Sequence, residues 1–496
     1  MFETTRRLVE NRTGANQWRI DLAQSAKRLS CSHTETEGLF LTTYDFTEID
    51  RAIEQGETEF IEILQKLLRQ KSISHTGEGM EECAEAVRLL LEQEGFRTTV
   101  YRPGAYPIVY GEIAASGQAV DAPTVLLYGH YDVMPPDPLN EWKSDPFEPQ
   151  IRDGKIYARG AGDNKGQFLA HVLAVRNYLK LHGGLPVTLK ILIEGEEETG
   201  SPSLADFVAN HRELLKADLV YTSDGPKHAS GAPVVLLGVR GALSARLTSK
   251  GAAWDNHSGN KGNIVPNPVW PLVALLHGMR SDDGTVQIEG FYDGIPEVSE
   301  ADAEALRRLP FDLDDLKRQV GHDGIDLDGE TYYRRLSLEP TFNVFGLHAG
   351  GRDKGIIPAM AEAYLDVRLV SGQDPLDMYA KLERHVKKHA PDIGIERIMS
   401  VPPSKTPIDL PIIRTVIETV TEACAPEPVV QPAMGGTLPD YVWTSVLGAP
   451  SVIVPYAPYD EANHSPNENT GIADFLEGIR CTYHLIRRLA DSRCGE

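Results

Sequence analysis

The chain is short of positive charge, of cysteine and of long apolar runs. It carries 49 Lys and Arg against 72 Asp and Glu, a formal net charge of -23 over 496 residues. That balance disfavours nucleic acid and anionic membrane as partners, because both are held by clustered Lys and Arg. The five cysteines (Cys31, Cys83, Cys424, Cys481, Cys494) are scattered and lack a C-x-x-C spacing. They argue against a disulfide framework and a thiolate zinc site, and they suit a reducing, cytoplasmic compartment. No apolar run approaches the length of a membrane span. The N-terminus has no apolar signal core, and Glu3, Glu10 and Asp21 count against reading its arginines as a transit peptide. What is present is 41% hydrophobic content, enough for large cores in two or three domains.

Residues 1–45 read as an N-terminal extension, frayed or locally helical. From residue 46 to 241, helical apolar spacing alternates with short apolar strands. Helices are expected over 48–70, 80–94, 166–182 and 203–215, and strands over 98–101, 108–112, 124–128, 187–193 and 219–222. This is the pattern of an α/β domain with a mostly parallel sheet and helices on both faces. Residues 242–402 change texture, with alternating strands, two longer helices (269–279 and 375–389) and an acidic segment over 281–335. They read as an inserted α+β unit. Residues 403–496 return to the first texture and complete the first domain.

The stretch Glu194-Gly195-Glu196-Glu197-Glu198-Thr199-Gly200-Ser201 follows an apolar strand. Adjacent carboxylates repel one another, and a cation relieves that repulsion. Successive side chains of a regular element diverge, so serving one site requires a bend, which Gly195 and Gly200 allow. One glutamate is read as a metal ligand and its neighbour as a proton carrier. Chemistry alone leaves open which of Glu196, Glu197 and Glu198 does which. Other clusters also follow strand ends: His130-Tyr131-Asp132 after 124–128, Ser223-Asp224 after 219–222, and, through a loop, His464-Ser465-Pro466-Asn467-Glu468 after 451–454. A glycine-rich loop holding Asp163 enters a helix. Ligands of open α/β sheets bind beyond the carboxyl ends of the strands. Imidazole and carboxylate donors suit zinc or manganese, and Asp132 can accept from the second ring nitrogen of His130. Each residue also has a plain structural use: His130 in a core, Asp163 as a helix cap, His464 in a loop. Their joint placement at strand ends favours one shared site.

The ordered motifs resemble those of the M20 metallopeptidases, which include carnosinases, aminoacylases, carboxypeptidase G2 and the acetylornithine and succinyl-diaminopimelate deacylases. His130-Tyr131-Asp132-Val133-Met134-Pro135 is similar to HxDVxP, Gly160 to Gly166 to GxxDxKG, Glu197 to Ser201 to EExGS, and His464 to Glu468 to HSxNE. The resemblance runs from about residue 50 to the C-terminus. It implies two divalent metal ions, Zn2+ or Mn2+, one held by His130 and Asp224, the other by Glu198 and His464, with Asp163 bridging. It assigns Glu197 as general acid/base, supported by Asp132, and gives Glu196 neither role. It implies a cis Asp163–Asn164 peptide.

The inserted unit resembles the family's lid and dimerisation domain, which implies a homodimer. Asp255 to Gly259 is similar to DxHSG, so the resemblance makes His257 the oxyanion-stabilising histidine. Arg368 matches the carboxylate-binding lid arginine. Gly435-Gly436-Thr437-Leu438-Pro439 is similar to GGSxP, so Gly436 and Thr437, with Asn343, are expected at the substrate. The long lid resembles that of carnosinase-like dipeptidases, although Gly355 replaces their threonine. The activity implied is hydrolysis of dipeptides or related amides bearing a free carboxylate. The alternatives are an N-acyl amino acid deacylase on the same metals and a non-catalytic binding protein.

Overall fold

A computed structural model describes residues 46–116, 122–351 and 355–491; the extension expected over 1–45, with Cys31, and Cys494 lie outside the described residues. The main strands in chain order are β1 (Arg97–Tyr101), β2 (Ile108–Ile113), β3 (Thr124–His130), β4 (Thr188–Glu194), β5 (Leu219–Thr222) and β6 (Val234–Leu236). They continue with β7 (Gly241–Lys250), β8 (Thr341–Ala349), β9 (Met360–Leu369), β10 (Gly394–Val401), β11 (Val429–Gln431) and β12 (Ser451–Ile453). The main helices are α1 (Thr47–Arg69), α2 (Met80–Gln93), α3 (Lys165–His182), α4 (Leu204–Asn210), α5 (Val269–Gly278), α6 (Glu300–Arg308), α7 (Leu313–Val320), α8 (Gly329–Ser337), α9 (Pro375–His389), α10 (Pro411–Ala423) and α11 (Ile472–Asp491). No helix among the described residues is long and apolar enough to cross a membrane.

The larger sheet has eight strands in the order β1-β2-β4-β3-β5-β12-β6-β11. Its centre, β4-β3-β5-β12, is parallel. The β1–β2, β2–β4 and β12–β6 pairs are antiparallel. Central parallel strands are covered on both faces and therefore read as near-continuous apolar runs. On one face, Leu126, Tyr128, Leu192 and Val220 pack against Phe207 and Val208 of α4 and against Trp443. The other face of β3 meets α3. There a side chain at Gly129 would lie 2.8 Å from both Asn164 Oδ1 and Phe168 Cβ. The absent side chain lets the start of α3 approach the end of β3, which carries Asp163 to His130.

The inserted residues form a four-stranded antiparallel sheet, β8-β9-β7-β10. Leu272 and Leu275 of α5 and Met378, Leu382 and Val386 of α9 bury its inner face against Leu243, Ala363, Leu365 and Val367. Asp374 caps α9 by accepting from the backbone N–H groups of Leu376 and Asp377, with Pro375 opening the helix. The acidic segment supplies α6, α7 and α8, capped in turn by Ser299, Asp312 and Asp328.

The structure departs from the sequence pattern in three places. The helix expected over 203–215 breaks at His211, whose ring stacks on Phe207 at 4.3 Å. The pattern did not mark β8, because its middle residues are exposed on a sheet edge and do not alternate. The three-residue strands β6 and β11 are too short to show a period.

Trp443 is 1% exposed, and its ring lies 4.9 Å from that of Tyr128, beneath the site. Trp443→Ala should cost about 3–5 kcal/mol, read as a lower thermal midpoint of the chelated protein.

Candidate metal centre

β3 ends at His130, β4 at Glu194 ahead of the glutamate turn, and β5 at Thr222 ahead of Asp224. These strands are neighbours and parallel, so their carboxyl ends deliver the three segments to one edge. The loop after β12 brings His464, and the loop leading into α3 brings Asp163.

The geometry is centred on Asp163. Its Oδ1 lies 3.0 Å from His130 Nε2, and its Oδ2 lies 3.0 Å from His464 Nε2. Asp224 Oδ2 is 3.8 Å from His130 Nε2, and Glu198 Oε2 is 3.0 Å from His464 Nε2. Two triads result, His130–Asp163–Asp224 and Asp163–Glu198–His464, with the donor atoms of each within 4.8 Å of one another. Glu197 stands beside them, its Oε2 4.0 Å from His130 Nε2. His130 is fully buried, and its Nε2, though close to Asp163, makes no well-formed hydrogen bond among the described residues. An orphaned imidazole nitrogen aimed into carboxylates fits a divalent cation, as does the mixed nitrogen and oxygen donor set.

The electrostatics agree. Burial pushes Glu198 up to about 7, opposed by its hydrogen bond to His464. Burial and then the charge of Asp163 push Asp224 up to about 6. Glu197 is raised well above the ordinary range, chiefly by burial. Burial acts to raise Asp163 too, but its contacts with His130 and His464 hold it well below the usual range. Those contacts in turn raise His464 to about 10. Burial acts to lower His130, and the surrounding carboxylates, Asp132 and Asp163 foremost, overcome it and raise the ring.

A second layer fixes these groups. Asp132 lies 3.3 Å from His130 Nδ1 and also accepts from the backbone N–H groups of Glu197 and Glu198, at 3.3 and 3.1 Å. One carboxylate thus orients a histidine and pins the turn beside it. Gly195 is needed for room, because a side chain there would lie 2.3 Å from the Tyr131 hydroxyl; Gly200 is needed for its φ of +88°. Glu196 is 5% exposed and accepts from the Ala105 N–H at 2.6 Å, so it ties down a loop and does not face solvent. The Asp163–Asn164 peptide is cis. Asn164 Nδ2 donates to the Ser223 carbonyl at 2.6 Å, joining the Asp163 and Asp224 segments.

Several contributors were not singled out in the sequence. Glu468 is buried against Arg159 at 2.7 Å and accepts from the N–H groups of Gly160, Gly162 and Asp163 at 3.1, 3.1 and 3.0 Å. Gln167 donates to the Gly162 and Gly225 carbonyls and accepts from the Tyr456 N–H, linking the segments that carry Asp163, Asp224 and His464. Arg240 is 8% exposed, and its Nη1 has no hydrogen-bond partner among the described residues. Burial, and then the neighbouring Arg368, lower its guanidinium to about 10. The only sequence signal for Glu468 was its place in the HSxNE stretch; for Gln167 and Arg240 there was none.

The expected substrate residues fall into two groups. Arg368 Nη1 donates to Thr437 Oγ1 at 3.0 Å, and Thr437 donates to the Arg240 carbonyl at 2.8 Å, with Gly436 beside them. Asn343 is exposed on the edge strand β8. His257 is exposed, and its Nδ1 accepts from the Gly259 N–H. Neither lines the cavity above the metal centre.

Glu468→Gln removes acceptor capacity from the Asp163 loop and should weaken metal binding about 10–100-fold, measured by chelator competition. Metal binding should also be proton-coupled. His464, raised to about 10, and Glu198, at about 7, hold protons near neutral pH that a ligand must release. Affinity should therefore rise with pH from 6 to 8, with proton release seen by calorimetry in buffers of different ionisation enthalpy.

Residues 126–488 match the family described as Peptidase family M20/M25/M40. The chain is 27% identical over 396 residues to the Beta-Ala-His dipeptidase of Homo sapiens, covering 75% of this chain and 76% of that one. It is 28% identical over 404 residues to the Cys-Gly metallodipeptidase dug1 of Schizosaccharomyces pombe, covering 76% and 82%. Among solved structures it resembles the M20 family metallo-carboxypeptidase Sso-CP2 from Sulfolobus solfataricus, with a TM-score of 0.77 and 33% identity over 87% of this chain and 99% of that one. With its two carboxylate–histidine triads at the strand ends, this chain belongs to Peptidase family M20/M25/M40 and is a metal-dependent hydrolase.

Proposed function

We propose that the chain hydrolyses the amide bond of dipeptides, or of related substrates with a free carboxylate, at a two-metal centre. The observation that carries this reading is Asp163, whose two oxygens each face one histidine at 3.0 Å between Asp224 and Glu198. His130 and Asp224 would hold one cation and Glu198 and His464 the other, with Asp163 shared. Zinc or manganese bound there supplies Lewis acidity toward a carbonyl and a water.

The chain's own groups do the rest. Glu197 takes the proton of the attacking water and returns it to the leaving amine. Burial favours its neutral form, which suits a group that must carry a proton between the two steps. Asp132 holds Glu197 in place through the backbone. Arg368, Thr437 and Gly436 bind the substrate carboxylate, for which guanidinium geometry is suited, and Asn343 would join them only on closure. His257 would stabilise the oxyanion on closure, in a homodimer formed through the inserted domain.

The proposed division is an N-terminal extension over 1–45, a catalytic domain over 46–241 and 403–496, and a lid and dimerisation domain over 242–402. Exposed apolar residues support the dimer: Trp270 and Val273 on α5, and Phe345 and Leu347 on the edge strand β8. Buried free Cys83, Cys424 and Cys481 accord with a cytoplasmic setting.

Glu197→Gln should retain metal by elemental analysis and lose about 10²–10⁴-fold in kcat on a panel of dipeptides and N-acyl amino acids. Chelator should abolish wild-type turnover, and added zinc or manganese should restore it. Near-normal turnover by the variant would sink the assignment of the base.

A further inference from the structure

Above the metal centre lies a cavity of about 800 Å³ whose floor includes Asp163, Glu197, Asp224 and His464. That volume is in the upper part of the range for ligand sites, roughly 300–1,000 Å³. One wall comes from the large sheet and its loops, with Leu236, Leu438 and Ile453. The opposite wall comes from the inserted acidic segment, with Phe311, Leu316, Tyr332 and Tyr333. Its rings form one cluster, with Phe311 5.1 Å from Tyr332 and Tyr332 5.0 Å from Tyr333. The Tyr333 hydroxyl donates to the Pro310 carbonyl at 2.6 Å and so holds the cluster together. Phe311 and Tyr332 are only half-buried.

This wall is fastened to the sheet that bears the metal ligands. Leu306 and Leu309 pack with Ala232 and Val429 of the large-sheet side. Lys405 reaches Asp302 at 2.7 Å, with both side chains largely buried.

Much of the charge around the cavity is already engaged. Asp312 caps α7, Asp315 accepts from Arg318 and Gln319, and Lys227 is held by Asp474 and Glu477. Apolar surface makes up much of what remains for recognition, beside the side chains of Gln431 and Asn463. The Arg368–Thr437 pair lies outside the lining, whereas Met434 and Leu438, which flank the Thr437 loop, belong to it. A substrate anchored there by its carboxylate, with its amide over the metal centre, therefore sends its acyl-side residue into the cavity.

Resting on the hydrolase reading above, we propose that Phe311 and Tyr332 are specificity-determining residues. They select substrates whose residue on the acyl side of the scissile amide carries a large apolar or aromatic side chain.

The test uses the full chain loaded with zinc or manganese and compares Phe-Ala, Ala-Ala and Ala-Phe. Phe-Ala should exceed Ala-Ala in kcat/KM by about tenfold or more. Phe311→Ala and Tyr332→Ala should each cut that ratio by about tenfold. Phe311→Leu should keep part of it, and Leu316→Trp, which fills the cavity with apolar bulk, should also cut it. An equal loss on both substrates, a preference that follows Ala-Phe, or a preference for Ala-Ala overturns the proposal. If no dipeptide is hydrolysed, the dipeptide reading fails by itself. Calorimetric binding then decides the cavity: tighter binding of Phe-Ala than of Ala-Ala upholds the wall's role, and equal binding refutes it.

Discussion

Carboxylates that ought to repel one another are gathered around Asp163, and the surrounding fold is built to keep them there. Each oxygen of that side chain faces a histidine nitrogen at 3.0 Å, with Asp224 and Glu198 beyond. Like charges at this spacing in a buried site are costly unless protons or cations intervene. The cost is offset by covalent and hydrogen-bonded restraint. Four adjacent parallel strands aim their ends at one edge, Gly129 lets the start of α3 approach, and Glu468 grips three N–H groups of the Asp163 loop. Asp132 does the same for the glutamate turn. The acidic cluster is thus held in place by bonds that do not themselves involve a metal, and a metal site needs preorganisation of that kind.

The sequence made part of this legible. The strands of the sheet centre are apolar runs, so their ends, and the His, Asp and Glu residues that follow, could be located along the chain. The order of the motifs then tied those ends together. The supporting contacts were not legible. Glu468 meets the Asp163 loop from the far end of the chain, and Gln167 joins three loops through its amide. Neither contact leaves a periodicity or spacing to read. Glu196 shows the same limit: the sequence assigned it no role, whereas the fold buries it against Ala105. The edge strand β8 escaped notice for the opposite reason, since its exposed apolar residues, Val344, Phe345 and Leu347, break the alternation of a half-buried strand.

The acidic segment was legible only as an inserted stretch rich in carboxylates, and its helices carry ion pairs such as Arg307 with Glu300 and Glu304. Yet the same segment places Phe311 and Tyr332 over the metal centre and drives Leu306 and Leu309 into the edge of the large sheet. The charges keep the outer surface in water, while the fewer apolar residues decide where the segment docks. A polar average over a stretch therefore says little about its inward face.

The two triads are not mechanically equivalent. His130 stands at the end of a central strand and is fully buried, and Asp224 follows the next strand directly. His464 sits on a loop at φ 55°, with 49% of its side chain exposed. That left-handed conformation is sparsely populated for a residue with a Cβ and persists only where neighbours impose it. The neighbours are visible: the Asn467 side chain accepts from the Lys143 N–H at 2.8 Å and donates to the Glu141 carbonyl at 2.9 Å, and Asn469 ties back to Asp460 and Glu461. Both partners of Asp163 in the first triad thus end or follow sheet strands, whereas in the second Glu198 follows β4 and His464 is placed by a clamped loop. Asp163, which faces both histidines, is itself held by Glu468 from that same loop segment.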